Sequence, residues 1–162
     1  MKLSIGKGWR MKRLTPLLVM TVLLLFHSAP VQAAGELNII GKFFANGIEF
    51  DIAVYTEGAQ KIGLIGIAGA QRTSVAFSSG EWDSFVKLWQ QAAQVQSASW
   101  QFVGSFKETD TSAEDLLVVT AGPGVQFTIV DAKKGTSSFV LGKSDFGAFD
   151  AKVQQVAEYL SR

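Results

Sequence analysis

Sliding the chain by 64 residues lays its second half on its first, and this repeat limits the fold more than any other feature. Glu81-Trp82 falls on Asp145-Phe146, Phe85 on Phe149, Trp89 on Val153, and Gln90-Gln91 on Gln154-Gln155. Arg72–Phe77 falls on Thr136–Leu141, and the first strands coincide to within about two residues. Two amphipathic helices can align by chance. The order of strands before each helix aligns as well, so the chain reads as two copies of one supersecondary unit.

Each copy reads as four strands and a helix. Leu37–Ala45 runs through Asn46-Gly47 into Ile48–Thr56, and Asn-Gly between two such runs is a hairpin signal because both residues accept positive φ. Ile48, Phe50, Ile52 and Val54 share one face of the second strand, and Glu49, Asp51, Ala53 and Tyr55 share the other. Lys61–Ile67 and Arg72–Phe77 follow as strands. Ser78 with Glu81 forms a capping box, and Trp82, Phe85, Val86, Trp89 and Ala93 recur at helical spacing, flanked by Leu88, Ala92 and Val95.

In the second copy Ser99–Lys107 is expected to carry Trp100, Phe102 and Phe106 on one face. Leu116–Ala121, Val125–Asp131 and Thr136–Leu141 complete a sheet, and a helix starts near Ser144 with Phe146, Phe149, Val153, Val156 and Leu160 on one stripe. The expected fold class is α+β: two antiparallel four-stranded sheets, each followed by an amphipathic helix that covers an apolar face, an internal ββββα repeat. The repeats span about 36–96 and 99–162 of a single domain, 34–162.

The first 33 residues read differently. Basic residues ending at Lys12-Arg13 precede an apolar run, Leu14–Phe26, and Val31 and Ala33 match the small-residue pattern of a signal peptidase site. Cleavage is expected between Ala33 and Ala34, and Met11 offers a second start. The apolar run falls short of the roughly 20 residues a bilayer requires, so no membrane span is expected after signal removal; a retained anchor is the alternative. The expected location is periplasmic or secreted.

Five of the fifteen basic residues lie in this leader and all fourteen acids follow it, so the remainder is net acidic. Cysteine is absent, and the single histidine, His27, lies in the leader. This removes Cys–His and Ser–His–Asp nucleophiles, thiolate or imidazole metal sites and disulfides from residues 34–162. No cofactor is expected.

The tandem order resembles the Whirly family and related single-stranded nucleic-acid-binding regulators, over about Glu36 to Leu160. The resemblance rests on element order and the helix stripes. It implies helices that assemble homo-oligomers and sheets that present nucleic-acid-binding surfaces. The family's lysine-rich strand motif has no counterpart: Lys61-Ile-Gly-Leu-Ile-Gly-Ile67 carries one lysine. The acidic balance also works against phosphate binding.

Several side chains are candidates for chemistry or binding. Glu49 and Asp51, two apart on one face, are paired carboxylates of the kind a glycosidase uses, or a solvated sheet face that blunts edge pairing. Glu108, Asp110, Glu114 and Asp115 offer oxygen ligands for calcium without the glycine and spacing of a calcium loop, so an acidic hairpin tip is the simpler reading and no metal site is expected. Lys133-Lys134-Gly135 beside Asp131 reads as a charged turn. Lys42, Phe44 and Tyr55 lie opposite the apolar strand faces and, with Lys61 and Arg72, are the candidate binding residues. Leu88, Val95, Leu117 and Val119 are the candidate contacts between copies.

These readings converge on an exported, non-enzymatic binding or accessory protein of the cell envelope. It is expected to self-associate and to meet an envelope protein or polymer. One alternative is an exported single-stranded nucleic-acid-binding protein using Lys42, Lys61, Arg72 and sheet-face aromatics. The other is a carboxylate-based hydrolase using Glu49 and Asp51.

Overall fold

The computed structural model describes residues 35–107 and 115–162. Strands β1 (Glu36–Ala45), β2 (Ile48–Glu57), β3 (Gln60–Ala68) and β4 (Arg72–Phe77) form one antiparallel sheet in sequential order, followed by α1 (Ser79–Gln94). Strands β5 (Gln101–Lys107), β6 (Leu116–Ala121), β7 (Gly124–Asp131) and β8 (Gly135–Gly142) form the second. A 3-10 turn, Lys143–Asp145, leads into α2 (Phe146–Ser161). The fold is α+β, with the ββββα unit present twice. The signal-cleavage positions Ala33 and Ala34, and Glu108, Asp110 and Glu114, lie outside the described residues.

Local chemistry explains the turns and the first helix start. Asn46 and Gly47 both take positive φ, 53° and 75°, closing β1 onto β2 with Ala45 opposite Ile48. At α1 the Glu81 carboxylate accepts from the Ser78 backbone N–H at 2.8 Å and from its hydroxyl at 2.7 Å.

One core joins the two sheets. Phe50 on β2 meets Phe127 on β7 and Phe139 on β8 at ring separations of 5.0 and 5.1 Å, and Phe77 on β4 meets Phe106 on β5 at 4.4 Å. The helices seal this core and each other. Trp89 on α1 packs on Phe149 of α2 at 4.5 Å, and both buried indoles find acceptors on α2: Trp82 donates to the Val153 carbonyl at 3.2 Å and Trp89 to Asp150 at 2.9 Å.

Each helix reaches the other repeat's sheet. Besides β3 and β4, α1 lies against β5 and β6 of the second sheet, and α2 lies against β1, β2 and β3 of the first. A β-bulge with a following glycine marks each seat. The register of β1 on β2 skips between Ile39 and Gly41, and that of β5 on β6 between Phe102 and Gly104. A Cβ at Gly41 would stand 2.8 Å from Lys152 Cγ of α2, and one at Gly104 would stand 2.6 Å from Leu88 Cδ1 of α1.

The second bulge corrects the expected face of β5. The extra residue, Val103, reverses the alternation. Phe106 therefore faces the core opposite Leu117, while Phe102 stands on the outer face opposite Thr120 and is 68% exposed. The expected contacts between copies at Leu117 and Val119 are corrected too. Both are fully buried in the intramolecular core, on the β6 face turned toward Ile129 and Phe127.

Candidate functional site

The outer face of the first sheet carries the charged side chains the sequence singles out, set in rows by strand register. Phe44, Glu49, Ala68 and Arg72 form one row; Lys42, Asp51, Gly66 and Ser74 form the next. Beyond them come Ile39, Ala53, Leu64 and Ala76, then Leu37, Tyr55 and Ile62. A two-residue turn puts Lys42 opposite Asp51 and Phe44 opposite Glu49, so the hairpin itself assembles half of the site.

Asp51 is the centre of the cluster and is buried, although it stands on the face turned away from the core. Arg72 of β4 lies across Gly66, its guanidinium just beyond where a Cβ would sit, and its Nη2 bonds Asp51 Oδ2. Lys42 Nζ bonds Glu49 Oε1 at 2.7 Å and stands 3.8 Å from Asp51 Oδ1, outside hydrogen-bond reach. Asp51 Oδ1 is buried with no hydrogen-bond partner. Burial, with Glu49 alongside, pushes the Asp51 carboxyl above its ordinary range against the pull of Arg72. The hydrogen bond from Lys42 holds Glu49 below its own.

A cleft of about 160 Å³ opens beside this cluster, lined by Leu37, Asp51, Ala53, Leu64, Arg72 and Ser74. Phe44, 69% exposed, flanks the charged rows on one side, and Tyr55, whose hydroxyl donates to Glu57 at 3.2 Å, stands on the other.

The second sheet serves as an internal control. The row equivalent to Lys42–Asp51–Gly66–Ser74 is Ser105–Val118–Thr128–Ser138, and the row equivalent to Phe44–Glu49–Ala68–Arg72 is Lys107–Leu116–Val130–Thr136. The same sheet thus forms with valine in place of the buried aspartate and threonine in place of its arginine. The architecture does not require the ion pairs.

The remaining candidates are dispersed. Lys61 belongs to a different surface: its Nζ donates to the Tyr159 carbonyl at 3.3 Å and sits 5.5 Å from the Tyr159 ring, at the C-terminal turn of α2. It does not join Lys42 and Arg72. Leu88 seals the α1–β5 seam over Gly104, and Val95 is half-buried against the core. Asp131 accepts from the backbone N–H groups of Lys133 and Lys134 at 2.8 Å each, while Gly135 supplies φ 90°, so this segment is a built hairpin turn. Among the described residues no three acidic or histidine side chains come together as a metal site, and no helix is long and apolar enough to cross a membrane. A larger cavity, about 370 Å³, lies between the β3–β4 turn and β8, with Lys134 at its rim.

No protein-family model matches the chain, and no curated protein matches it.

Proposed function

We propose that this is an exported, non-enzymatic binding protein of the cell envelope whose ligand meets the outer face of the first sheet. The observation that carries this reading is the Lys42–Glu49–Asp51–Arg72 cluster, present on one sheet and absent from the equivalent rows of the other. The other sheet forms with Val118 where this one buries Asp51, which supports a role for the charged cluster in binding rather than in holding the sheet together. Export rests on the leader pattern of residues 1–33.

Binding fits the cluster better than catalysis. Each carboxylate is engaged by a cation, Glu49 by Lys42 and Asp51 by Arg72, so neither stands free to take up and deliver a proton. Single-stranded nucleic acid is the second reading, favoured by the element order shared with Whirly-type regulators. It asks for a continuous basic strip. Lys42 and Arg72 are instead neutralised in place, and Lys61 turns toward α2. Self-association falls to the exposed apolar residues of the second sheet's outer face, Phe102 and Val140, since Leu117 and Val119 are interior.

Two retention measurements on the purified protein test the reading. Retention on isolated cell-envelope material, with no affinity for labelled single-stranded DNA at low salt, is the expected result. Tight DNA binding that weakens steeply with salt would replace it with the nucleic-acid reading.

A further inference from the structure

Each sheet leaves two strands with a neighbour on one side only: β1 and β4 in the first, β5 and β8 in the second. An open edge presents backbone donors and acceptors at strand spacing, and bulges, prolines or charged side chains blunt it against pairing. Three of the four edges are treated in this way. β1 carries a bulge and Lys42, β5 a bulge and Lys107, and the six-residue β4 carries Arg72. β8 has none of these devices. Gly135–Gly142 runs for eight residues in unbroken register with β7 and contains no charge and no proline. Alternate residues of an edge strand turn their N–H and C=O groups away from the neighbour. Among the described residues, no backbone hydrogen bond from outside the sheet reaches those of β8.

The cavity of about 370 Å³ opens along the first half of this strand, at Thr136, Ser137 and Ser138. Its opposite wall is the β3–β4 turn, held by the Gly69 N–H on the Gln71 carbonyl at 3.1 Å. Ile48 and Ile67 supply its apolar surface. Lys134 also lines it, but its Nζ stands 3.6 Å from Asp131 Oδ2, so the rim offers no unopposed charge. A ligand suited to this place brings its own backbone at strand spacing, an apolar side chain for the two isoleucines, and no net charge. An extended peptide meets all three conditions. The cavity also decides its width. About 370 Å³ is the space of about a dozen waters at roughly 30 Å³ each, room for a few residues of one chain. A whole second sheet brought along β8 would have to share that space with the turn; a lone strand need not.

We propose that β8 accepts an extended, uncharged peptide segment of a partner protein as an added strand at Thr136–Ser138, with one apolar side chain of that segment on Ile48 and Ile67. This site is separate from the outer face of the first sheet, and it stands or falls without it.

The test titrates the isotope-labelled protein with a capped pentapeptide of alternating threonine and valine, read by amide chemical shifts. The expected shifts concentrate at Thr136–Ser138 and at the β3–β4 turn. Two further peptides carry N-methyl groups, one on the valines and one on the threonines. Only one edge of an added strand faces β8, so one of the two should bind more weakly by about tenfold, the loss of about one hydrogen bond, while the other binds like the parent. Ala70→Trp, which fills the cavity from an exposed position, should also weaken binding by about tenfold. No shifts at millimolar peptide, shifts confined to other strands, equal loss with both methylated peptides, or undiminished binding by Ala70→Trp would each overturn the assignment. A protein that is dimeric by light scattering and becomes monomeric on Thr136→Lys would give this edge to a second copy instead.

Discussion

Leu88 on α1 and Lys152 on α2 occupy equivalent places in the two repeats, and each covers the bulge glycine of the other repeat's first strand. Leu88 sits over Gly104 and Lys152 over Gly41. The glycine after the bulge lacks a Cβ at the point where a helix crosses, and the long side chain fills the space.

The glycines that seat helices should differ in their tolerance. A Cβ at Gly63 would stand 2.5 Å from Trp82 Cε3, part of a rigid buried ring, whereas one at Gly104 meets the movable end of Leu88. Gly63→Ala should therefore destabilise by about 1–3 kcal/mol, in the range of overpacked cores, and Gly104→Ala by less. Urea midpoints measured side by side check the order; equal losses would mean that the indole shifts as readily as Leu88.

Removing an indole donor gives a second outcome. Trp89→Phe keeps most of the ring packing on Phe149 but loses the hydrogen bond to Asp150. The expected cost is about 1–3 kcal/mol, typical of a hydrogen bond to a charged group. In the double variant Trp89→Phe with Asp150→Ala the coupling between the two sites should be visible as non-additivity, measured by a double-mutant cycle.

Acid should weaken the second sheet's last hairpin. The backbone N–H groups of Lys134 and Lys133 hold Asp131 below its ordinary value of 3.8. A folded pKa below the unfolded one means that this stability is fully present above the unfolded value and is lost as pH falls through the folded one. The gap in denaturation midpoint between the protein and Asp131→Ala should be widest near neutral pH and close as pH falls through the lowered pKa of the folded carboxyl. Asp51 acts in the opposite sense: its carboxyl is raised by burial, so protonation on acidification favours the folded state.

Contact between copies, if built on the second sheet, runs through its exposed apolar residues. Phe102→Asp should then convert an oligomer to monomer by light scattering, while Leu117→Asp should unfold the chain because Leu117 is fully buried. A Phe102→Asp protein of unchanged mass would remove that face from consideration.

Much of the architecture was legible because strand alternation and helix periodicity are local. The Asn46-Gly47 turn and the capping box at Ser78 needed only neighbours in sequence, and the repeat only a comparison of the chain with itself. Three things did not. The bulge at Val103 inserts one residue that no pattern announces, and it turned Phe102 outward and left Phe106 inside. Leu116–Ala121 is apolar on both faces, so its alternation did not say that Leu117 and Val119 face inward. The partner of Asp51, Arg72, lies 21 residues away across two further hairpin turns. A signal for half of that cluster was present, since a two-residue turn after Ala45 forces Lys42 opposite Asp51.

Because α2 packs on the first sheet and α1 spans both, the two repeats share one core. Cut in the link between α1 and β5, the chain would yield two fragments that each expose part of the shared core. A single ββββα unit standing alone would have to trade its helix with a twin, as a domain-swapped pair. The tandem chain is, in this sense, such a dimer fused into one polypeptide. The covalent link frees the two halves to diverge, and that asymmetry is what allows one sheet to acquire a charged clamp while its counterpart stays plain.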